Sequence, residues 1–241
     1  MAPNIFTAIK ERCEIRRGRK STSRSLCEST MSHVFVLIKK FGHKINIEDL
    51  HTKVFISGSS INSILNDLPF ADFDIFFYKE EHLKEFKNSV SGFNADSLYV
   101  TETLVNILLE GRELQFVLLE AGKPEDVAKN FDWSVGSASA VFNETTGEPD
   151  IQYYEEYKDI SGIGLGNKPY SSFMRLIKYL KRGWRFDDEK EQISFIDKII
   201  IHALDSQEEL RESGRNLSKD ETLKIIRDRD PGYYSGRPRY K

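Results

Sequence analysis

Two aspartates, Asp72 and Asp74, lie within the apolar segment 71–78, and this feature constrains the fold more than any other. The alternation of residues predicts a β-strand with both carboxylates on one face. The side chains expected to face the core are Phe73, Ile75 and Phe77. An apolar strand belongs in the interior of a sheet, where unpaired charge is costly. Two neighbouring carboxylates repel each other unless a cation lies between them, so the segment predicts a divalent-cation site.

A strand, a small-residue turn and a short helix precede these aspartates. Residues 53–57 are apolar and predict a buried strand, Gly58 and Ser59 form the turn, and residues 61–68 have helical spacing up to Pro69. The start of a helix offers backbone N–H groups and a positive dipole end to a phosphate. A phosphate site and a metal site separated by one short helix are what phosphoryl or nucleotidyl transfer requires.

These residues resemble the signature of the polymerase-beta-type nucleotidyltransferase superfamily. In that signature a Gly-[Gly/Ser] turn precedes a strand of the pattern hydrophobic–Asp–hydrophobic–[Asp/Glu]–hydrophobic; here twelve residues separate Ser59 from Asp72. The resemblance implies that an NMP is moved from an NTP to a hydroxyl, with release of pyrophosphate. It also implies that Asp72 and Asp74 hold Mg²⁺ or Mn²⁺ and act in catalysis, and that Gly58 and Ser59 bind the nucleotide phosphates.

Further segments resemble a subgroup of that superfamily that is common in phages and other mobile elements. In members of this subgroup, an apolar–Gln–apolar strand is followed by a Phe-Asp-aromatic strand. A helix of the type R-x-x-K-Y-x-x-[RK]-G-aromatic comes next. The chain has each part, as LQFVLL (114–119), FDW (131–133) and RLIKYLKRGW (175–184). The resemblance covers residues 53–186, somewhat more than half of the chain.

The superfamily resemblance implies a third carboxylate on a neighbouring strand, and two positions compete for this role. The strand predicted over 113–119 has Gln115 where an acid often stands, and Glu113 precedes it on the same face. Asp132 lies between two aromatic residues in a strand predicted over 131–140, an odd position for an acid without a function. We therefore predict that Asp132 is the third catalytic and metal-binding residue, with Glu113 or no third carboxylate as the alternatives.

A helix predicted over 170–182 carries Arg175, Lys178 and Arg182 at spacings that form one basic stripe. Apolar residues beside the stripe predict that the helix docks on the core and directs these cations into a cleft. Guanidinium and ammonium groups neutralise phosphates, so we predict that the three residues bind the nucleotide. A solvated basic face is the alternative.

Charge is unevenly distributed along the chain. The net charge of −3 comprises +5 in residues 1–24, +4 in residues 211–241 and −12 between them. Basic ends favour contact with a polyanion, and the tail GYYSGRPRYK favours base stacking, although the ends can also be merely solvated. We therefore expect an RNA acceptor, foremost a tRNA 3′ end. The alternatives are toxin-like nucleotidylation of a protein hydroxyl and an inactive palm that serves as a binding module.

The order of these patterns predicts an α+β fold, with a nucleotidyltransferase-like palm (a mixed sheet flanked by helices) followed by a C-terminal helical subdomain. We expect four parts along the chain. They are a basic N-terminal arm over 1–30, the palm over 31–160, the helical subdomain over 161–228 and a basic Tyr/Arg tail over 229–241.

Other classes of protein find little support. Cys13 and Cys27 match neither a metal-ligand pattern nor a disulfide framework, and the five histidines show no zinc-binding spacing. Apolar runs are too short to span a bilayer, and the first residues lack the apolar stretch of a signal peptide. We therefore expect a cytoplasmic protein with no membrane partner.

Overall fold

A computed structural model describes residues 20–93, 97–153 and 169–185, which contain both helices and strands. The helices are α1 (Lys20–Lys44), α2 (Ser59–Leu65), α3 (Glu80–Ser91), α4 (Pro124–Lys129) and α5 (Pro169–Lys181). The strands are β1 (Val54–Ser57), β2 (Asp72–Phe77), β3 (Leu98–Val100), β4 (Leu104–Leu109), β5 (Arg112–Ala121), β6 (Ala138–Asn143) and β7 (Glu148–Tyr153). Short 3₁₀ turns lie at Leu50–Thr52 and Ser134–Gly136.

The chain divides into two compact units. One comprises Met1–Lys129 and Val135–Glu156, and the other comprises Asn130–Ser134 and Tyr157–Lys241. The first unit therefore holds the strands and helices α1 to α4, whereas the second holds α5 and the five residues that follow α4. No helix within the described ranges is both long and apolar enough to cross a membrane.

The first unit is built on a mixed sheet of seven strands in the order β3-β4-β5-β2-β1-β6-β7. Strands β2 and β5 run parallel, and every other neighbouring pair is antiparallel. Strand β2 lies between β1 and β5, which confirms the prediction that the aspartate-bearing strand is an interior strand. The fold agrees with the predicted α+β palm, a mixed sheet flanked by helices.

One face of the sheet forms the hydrophobic core with α1 and α3. From Ser32 to Phe41 the sequence is compatible with a helix or a buried strand, and the structure has a helix. Residues three or four positions apart in α1 are buried, as expected for a helix with one face in the core. The helix also includes residues 20–30, which the sequence analysis assigned to the arm. Phe41 of α1, Phe86 of α3 and Phe116 of β5 contact one another, with the rings of Phe86 and Phe116 stacked at 4.6 Å.

The sequence predicts strands over 99–109 and 113–119 joined by a turn at 110–112. This hairpin is confirmed in β4 and β5, where Glu110 and Gly111 form the turn with φ angles of 49° and 76°. Two other predictions are wrong in part. In the strand predicted over 131–140, only the residues from Ala138 onward are extended, because a 3₁₀ turn precedes them. The sequence pattern also predicts a helix over 151–159, but the residues up to Tyr153 belong to strand β7, and the rest of this segment lies outside the described residues.

Cys27 is fully buried in α1, and its Sγ lies 3.9 Å from the carbonyl oxygen of Ile61. Burial, followed by the nearby Glu28 carboxylate, raises the pKa of the thiol to about 12. Only the thiolate reacts with alkylating reagents. In a Cys13→Ser variant at pH 8 we therefore expect an alkylating reagent to label Cys27 only when the first unit unfolds. Mass spectrometry with and without denaturant measures this, and fast labelling of the native protein would contradict it.

Candidate functional site

A row of polar side chains crosses the sheet of the first unit at one level. Direct strand pairing places seven residues side by side, and directly paired residues share a face. From edge to edge the row is Tyr99, Asn106, Gln115, Asp74, Ser57, Ser139 and Gln152. Four of its members are buried and Asp74 is half-buried, so the buried polar groups need partners within the protein. The row lies on the face opposite the core formed with α1 and α3.

The β1 side of the row is closed by hydroxyl hydrogen bonds. Ser139 Oγ donates to Ser57 Oγ at 3.0 Å, and Ser57 Oγ donates to the carbonyl oxygen of Ala138 at 3.0 Å. Both serine side chains are fully buried. The hydroxyl protons of both serines are thus engaged, and the acidic member of the row is Asp74 on β2.

Asp72 and Asp74 converge on the side chain of Gln115. In the parallel pairing of β2 with β5, Asp74 lies beside Gln115 and Asp72 lies beside Glu113. With the amide of Gln115 oriented as its neighbours require, Nε2 donates to Asp72 Oδ2 at 2.9 Å and to Asp74 Oδ1 at 3.1 Å. Asp72 and Gln115 are buried and Asp74 is half-buried. The two carboxylates thus meet at one point, which a single amide nitrogen reaches.

Gly58 lies directly against the Asp74 carboxylate. Its φ of +109° is a conformation that L side chains rarely adopt, and a Cβ added there would lie 2.6 Å from Asp74 Oδ2. Ser59, which begins α2, follows at once and is buried. The structure therefore brings together the predicted phosphate-binding turn and one of the two predicted metal-binding carboxylates.

Glu113, one alternative for the third carboxylate, is linked to the neighbouring strand β4. Asn106 Nδ2 donates to Glu113 Oε1 at 3.2 Å, and Asn106 is only 2 % exposed. Across the described ranges, no group of three or more His, Cys, Asp and Glu side chains is arranged to hold a metal ion. At this point of the first unit, two carboxylates and one amide converge.

Asp132 and Arg175 contact each other in the second unit. Arg175 Nε donates to Asp132 Oδ2 at 2.6 Å, with side-chain exposures of 39 % for Arg175 and 10 % for Asp132. Trp133 Nε1 donates to the carbonyl oxygen of Ser172 at 2.9 Å, so the residues after α4 are attached to α5 by two bonds. The side chains of Asp132 and Trp133 thus bond to α5. These contacts explain why residues 131–134 are not part of strand β6.

The rest of the predicted basic stripe lies along α5 and just after it. Lys178 and Arg182 are half-buried, whereas Leu176, Tyr179 and Trp184 are buried and form the apolar side of this segment. The burial of Tyr179 and Trp184 favours a packing role for these rings over base stacking.

Sequence reasoning missed Asn106 and the bond between Asp132 and Arg175. For Asn106 a signal existed, because it is the only polar residue in the strand LVNILL. A buried amide in an apolar strand requires a partner, which here is Glu113. For the other pair no local signal existed, since 43 positions separate the two residues.

We expect the bond between Arg175 and Asp132 to stabilise the protein through direct coupling. In a double-mutant cycle of Arg175→Met with Asp132→Asn, the coupling in the free energy of unfolding should be about 1–2 kcal/mol, since charged hydrogen bonds exceed neutral ones. The matched control is the surface pair Lys53 and Glu85, where exposure to solvent limits the coupling to less than about 1 kcal/mol. Additive effects of the two single substitutions would show that the pair is not formed in solution.

Solved structures with a similar fold include CCA-adding enzymes and a tRNA nucleotidyltransferase. A CCA-adding enzyme with CTP is 16 % identical and matches 83 % of this chain and 50 % of its own, with a TM-score of 0.50. The Thermotoga maritima CCA-adding enzyme complexed with tRNA is 15 % identical over 82 % of this chain and 50 % of its own (TM-score 0.49). A tRNA nucleotidyltransferase complexed with a primer tRNA and an incoming ATP analogue is 14 % identical over 79 % and 60 % (TM-score 0.47).

This chain therefore has the nucleotidyltransferase palm fold, and it spans about half the length of the CCA-adding enzymes. Membership of the polymerase-beta-type superfamily and of its phage-like subgroup stays a prediction. No curated protein matches the sequence significantly.

One protein-family model matches residues 33–157, and its description is "Gabija anti-defense 2 family protein". The matched region is slightly more than half of the chain and includes the whole sheet with Gly58, Asp72, Asp74 and Gln115. The chain therefore belongs to the Gabija anti-defense 2 (Gad2) family.

Proposed function

We propose that this protein is a metal-dependent nucleotidyltransferase that transfers an NMP from an NTP to an RNA hydroxyl and releases pyrophosphate. We further propose that this chemistry serves the anti-defense role that the family description names. One observation carries the proposal: Asp72 and Asp74 converge on one point directly beside Gly58, on a palm with the fold of nucleotidyltransferases.

The residues at this point have the chemistry that a hard divalent cation requires. Mg²⁺ and Mn²⁺ prefer carboxylate and carbonyl oxygens, and Asp72 and Asp74 provide two carboxylates whose mutual repulsion a cation relieves. In the structure the Nε2 donor of Gln115 partly offsets that repulsion. When bound, the cation supplies positive charge to the triphosphate of the nucleotide.

In the proposed reaction, an oxygen of the acceptor hydroxyl forms a bond to the α-phosphorus of the NTP. The bond from that phosphorus to the oxygen that bridges the α- and β-phosphates breaks, and pyrophosphate leaves with the electron pair. The hydroxyl proton passes to a base. Asp72 and Asp74 orient the nucleotide, and the close approach of the Gly58 backbone to Asp74 lets the turn lie beside the phosphates.

The remaining site assignments are proposals that rest on the sequence. Asp132 is the proposed third carboxylate, and Arg175, Lys178 and Arg182 are the proposed partners of the triphosphate. The structure shows that Asp132 and Arg175 are bonded to each other, so binding of a nucleotide by Arg175 Nε requires this bond to open. The two Nη groups of Arg175 offer further donors that this bond does not use.

RNA is the proposed acceptor because both ends of the chain are basic. Residues 1–24 carry +5 and residues 211–241 carry +4, whereas the rest of the chain carries −12. Polyanion binding by such segments depends on salt, because each phosphate contact releases a counterion. A protein hydroxyl is the alternative acceptor, favoured by the family description, since action against a defense system permits a protein target.

The test is incubation of the protein with each α-³²P-labelled NTP and Mg²⁺ or Mn²⁺, together with purified cellular RNA or cellular protein. Label in RNA supports the proposal, and label in protein replaces the RNA acceptor with a protein. Label in neither contradicts enzymatic transfer and favours an inactive palm. γ-³²P-labelled NTP is the control for phosphoryl transfer, because nucleotidyl transfer releases that label with the pyrophosphate.

The anti-defense role has its own test in cells that carry the Gabija defense. Expression of the protein should restore phage plating, and Asp74→Asn should abolish the restoration if nucleotidyl transfer carries the role. Full restoration by Asp74→Asn would separate the anti-defense role from the proposed chemistry.

A further inference from the structure

We infer that Gln115 supplies a third oxygen ligand to the cation held by Asp72 and Asp74, by turning its side-chain amide over. The inference rests on the metal site of the proposed function and gives a ligand role to an amide, at a position where the superfamily often has an acid. In the structure, Gln115 Nε2 donates to both carboxylates. Because the oxygen and nitrogen of an amide occupy equivalent positions, turning it over puts Oε1 where Nε2 was. The terminal torsion of Gln has a broad profile, so this rotation is easy.

The distances around Gln115 match those between ligands of one metal ion. Its amide nitrogen lies 2.9 Å from Asp72 Oδ2 and 3.1 Å from Asp74 Oδ1. Neighbouring ligands of octahedral Mg²⁺, each about 2.0–2.1 Å from the ion, lie about 2.9 Å from each other. With the amide turned over, the oxygens of Gln115, Asp72 and Asp74 repel one another without a cation, and a cation between them removes this repulsion. The same geometry thus serves two states, an amide donor without metal and an amide oxygen ligand with metal.

Glu113 is a poorer choice for the third oxygen. It is next to Asp72 in register, but Asn106 Nδ2 binds its Oε1. The Gln115 amide, in contrast, already contacts both aspartates. A neutral third ligand also adds no negative charge beside the two carboxylates, so the repulsion between the ligands is smaller than with three carboxylates.

If Gln115 does not bind the metal, its substitution should change the metal affinity in the opposite direction. If Gln115 acts only as a hydrogen-bond donor that neutralises the aspartates, it competes with the cation. Removing the amide then increases the repulsion between Asp72 and Asp74, and metal binding becomes tighter. If its oxygen is a ligand, removing the amide weakens metal binding. The substitution Gln115→Met keeps the length of the side chain and removes both groups, so it separates the two roles.

The experiment is a Mn²⁺ titration of the full chain without nucleotide, followed by electron paramagnetic resonance of the free ion. We expect Gln115→Met to weaken binding about tenfold or more, as loss of a ligand does. Gln115→Glu keeps an oxygen and adds a charge, so binding should be at least as tight as in the wild type. The matched control is Gln152→Met, the same change at the edge of the same polar row, which should leave binding unchanged.

Two further measurements distinguish the possible failures. Mn²⁺ binding by Gln115→Met that equals or exceeds that of the wild type overturns the role of Gln115 and leaves the metal site intact. Failure of the wild type to bind Mn²⁺, or unchanged binding in Asp74→Asn, overturns the metal site itself. Thermal unfolding checks that each variant is folded. In addition, Mg²⁺ should shift the side-chain amide resonance that Gln115→Met removes, because the N–H bonds to Asp72 and Asp74 are lost.

Discussion

Asp72→Asn and Asp74→Asn should each abolish nucleotidyl transfer while the protein stays folded. Each change removes a negatively charged ligand from the point where the two carboxylates meet, and a loss of about three orders of magnitude in turnover is expected. The stability of the metal-free protein should be equal to that of the wild type or slightly higher, since like-charge repulsion is relieved. Initial rates with α-labelled NTP and thermal unfolding measure the two quantities.

The matched control for these variants is Asp150→Asn, which changes an exposed aspartate on β7 of the same sheet. Its transfer rate should equal that of the wild type. Activity within about tenfold of the wild type in both Asp72→Asn and Asp74→Asn would contradict the metal assignment. A parallel loss of activity and of stability would show instead that the two aspartates have a structural role.

The fold around the aspartates could be predicted because its signals are local. Alternation in β2 placed Asp72 and Asp74 on one face, and the strong apolar flank placed that strand inside the sheet. The Gly-Ser turn and the helix before Pro69 were equally local signals. These features depend on residues close in sequence, so periodicity and turn chemistry suffice to predict them.

The contacts of Asp132 could not be predicted in this way. The alternation around it is typical of a strand, but bonds from Asp132 to Arg175 and from Trp133 to Ser172 attach the segment to α5. Tertiary contacts of this kind override local β propensity. The same limit applies to Gln115, because only the parallel pairing of β2 with β5 places its amide between the two carboxylates. Strand order is a non-local property that a single sequence does not reveal.

Gly58→Ala should produce the largest loss of stability among the single substitutions considered for the sheet. Two independent costs arise at this position. With φ at +109° and ψ at −168°, the backbone is in a region that is almost exclusive to glycine, and a non-glycine residue there costs about 1–3 kcal/mol. In addition, the new Cβ would lie 2.6 Å from Asp74 Oδ2, so the carboxylate must move. Transfer activity should be lost as well, because Asp74 no longer keeps its place beside Asp72.

A control and a double variant separate these two costs. Gly111→Ala also places a side chain at positive φ, +76°, but a Cβ there meets no atom within 4 Å in the described structure, so only the backbone cost is expected. In an Asp74→Ala background the clash at Gly58 is removed, and the destabilisation caused by Gly58→Ala should fall to the backbone cost. Chemical unfolding of the four proteins in this cycle measures the difference. If the cost of Gly58→Ala is the same with and without the Asp74 carboxylate, the carboxylate does not lie against the turn. The proposed metal site would then lose its link to the proposed phosphate site.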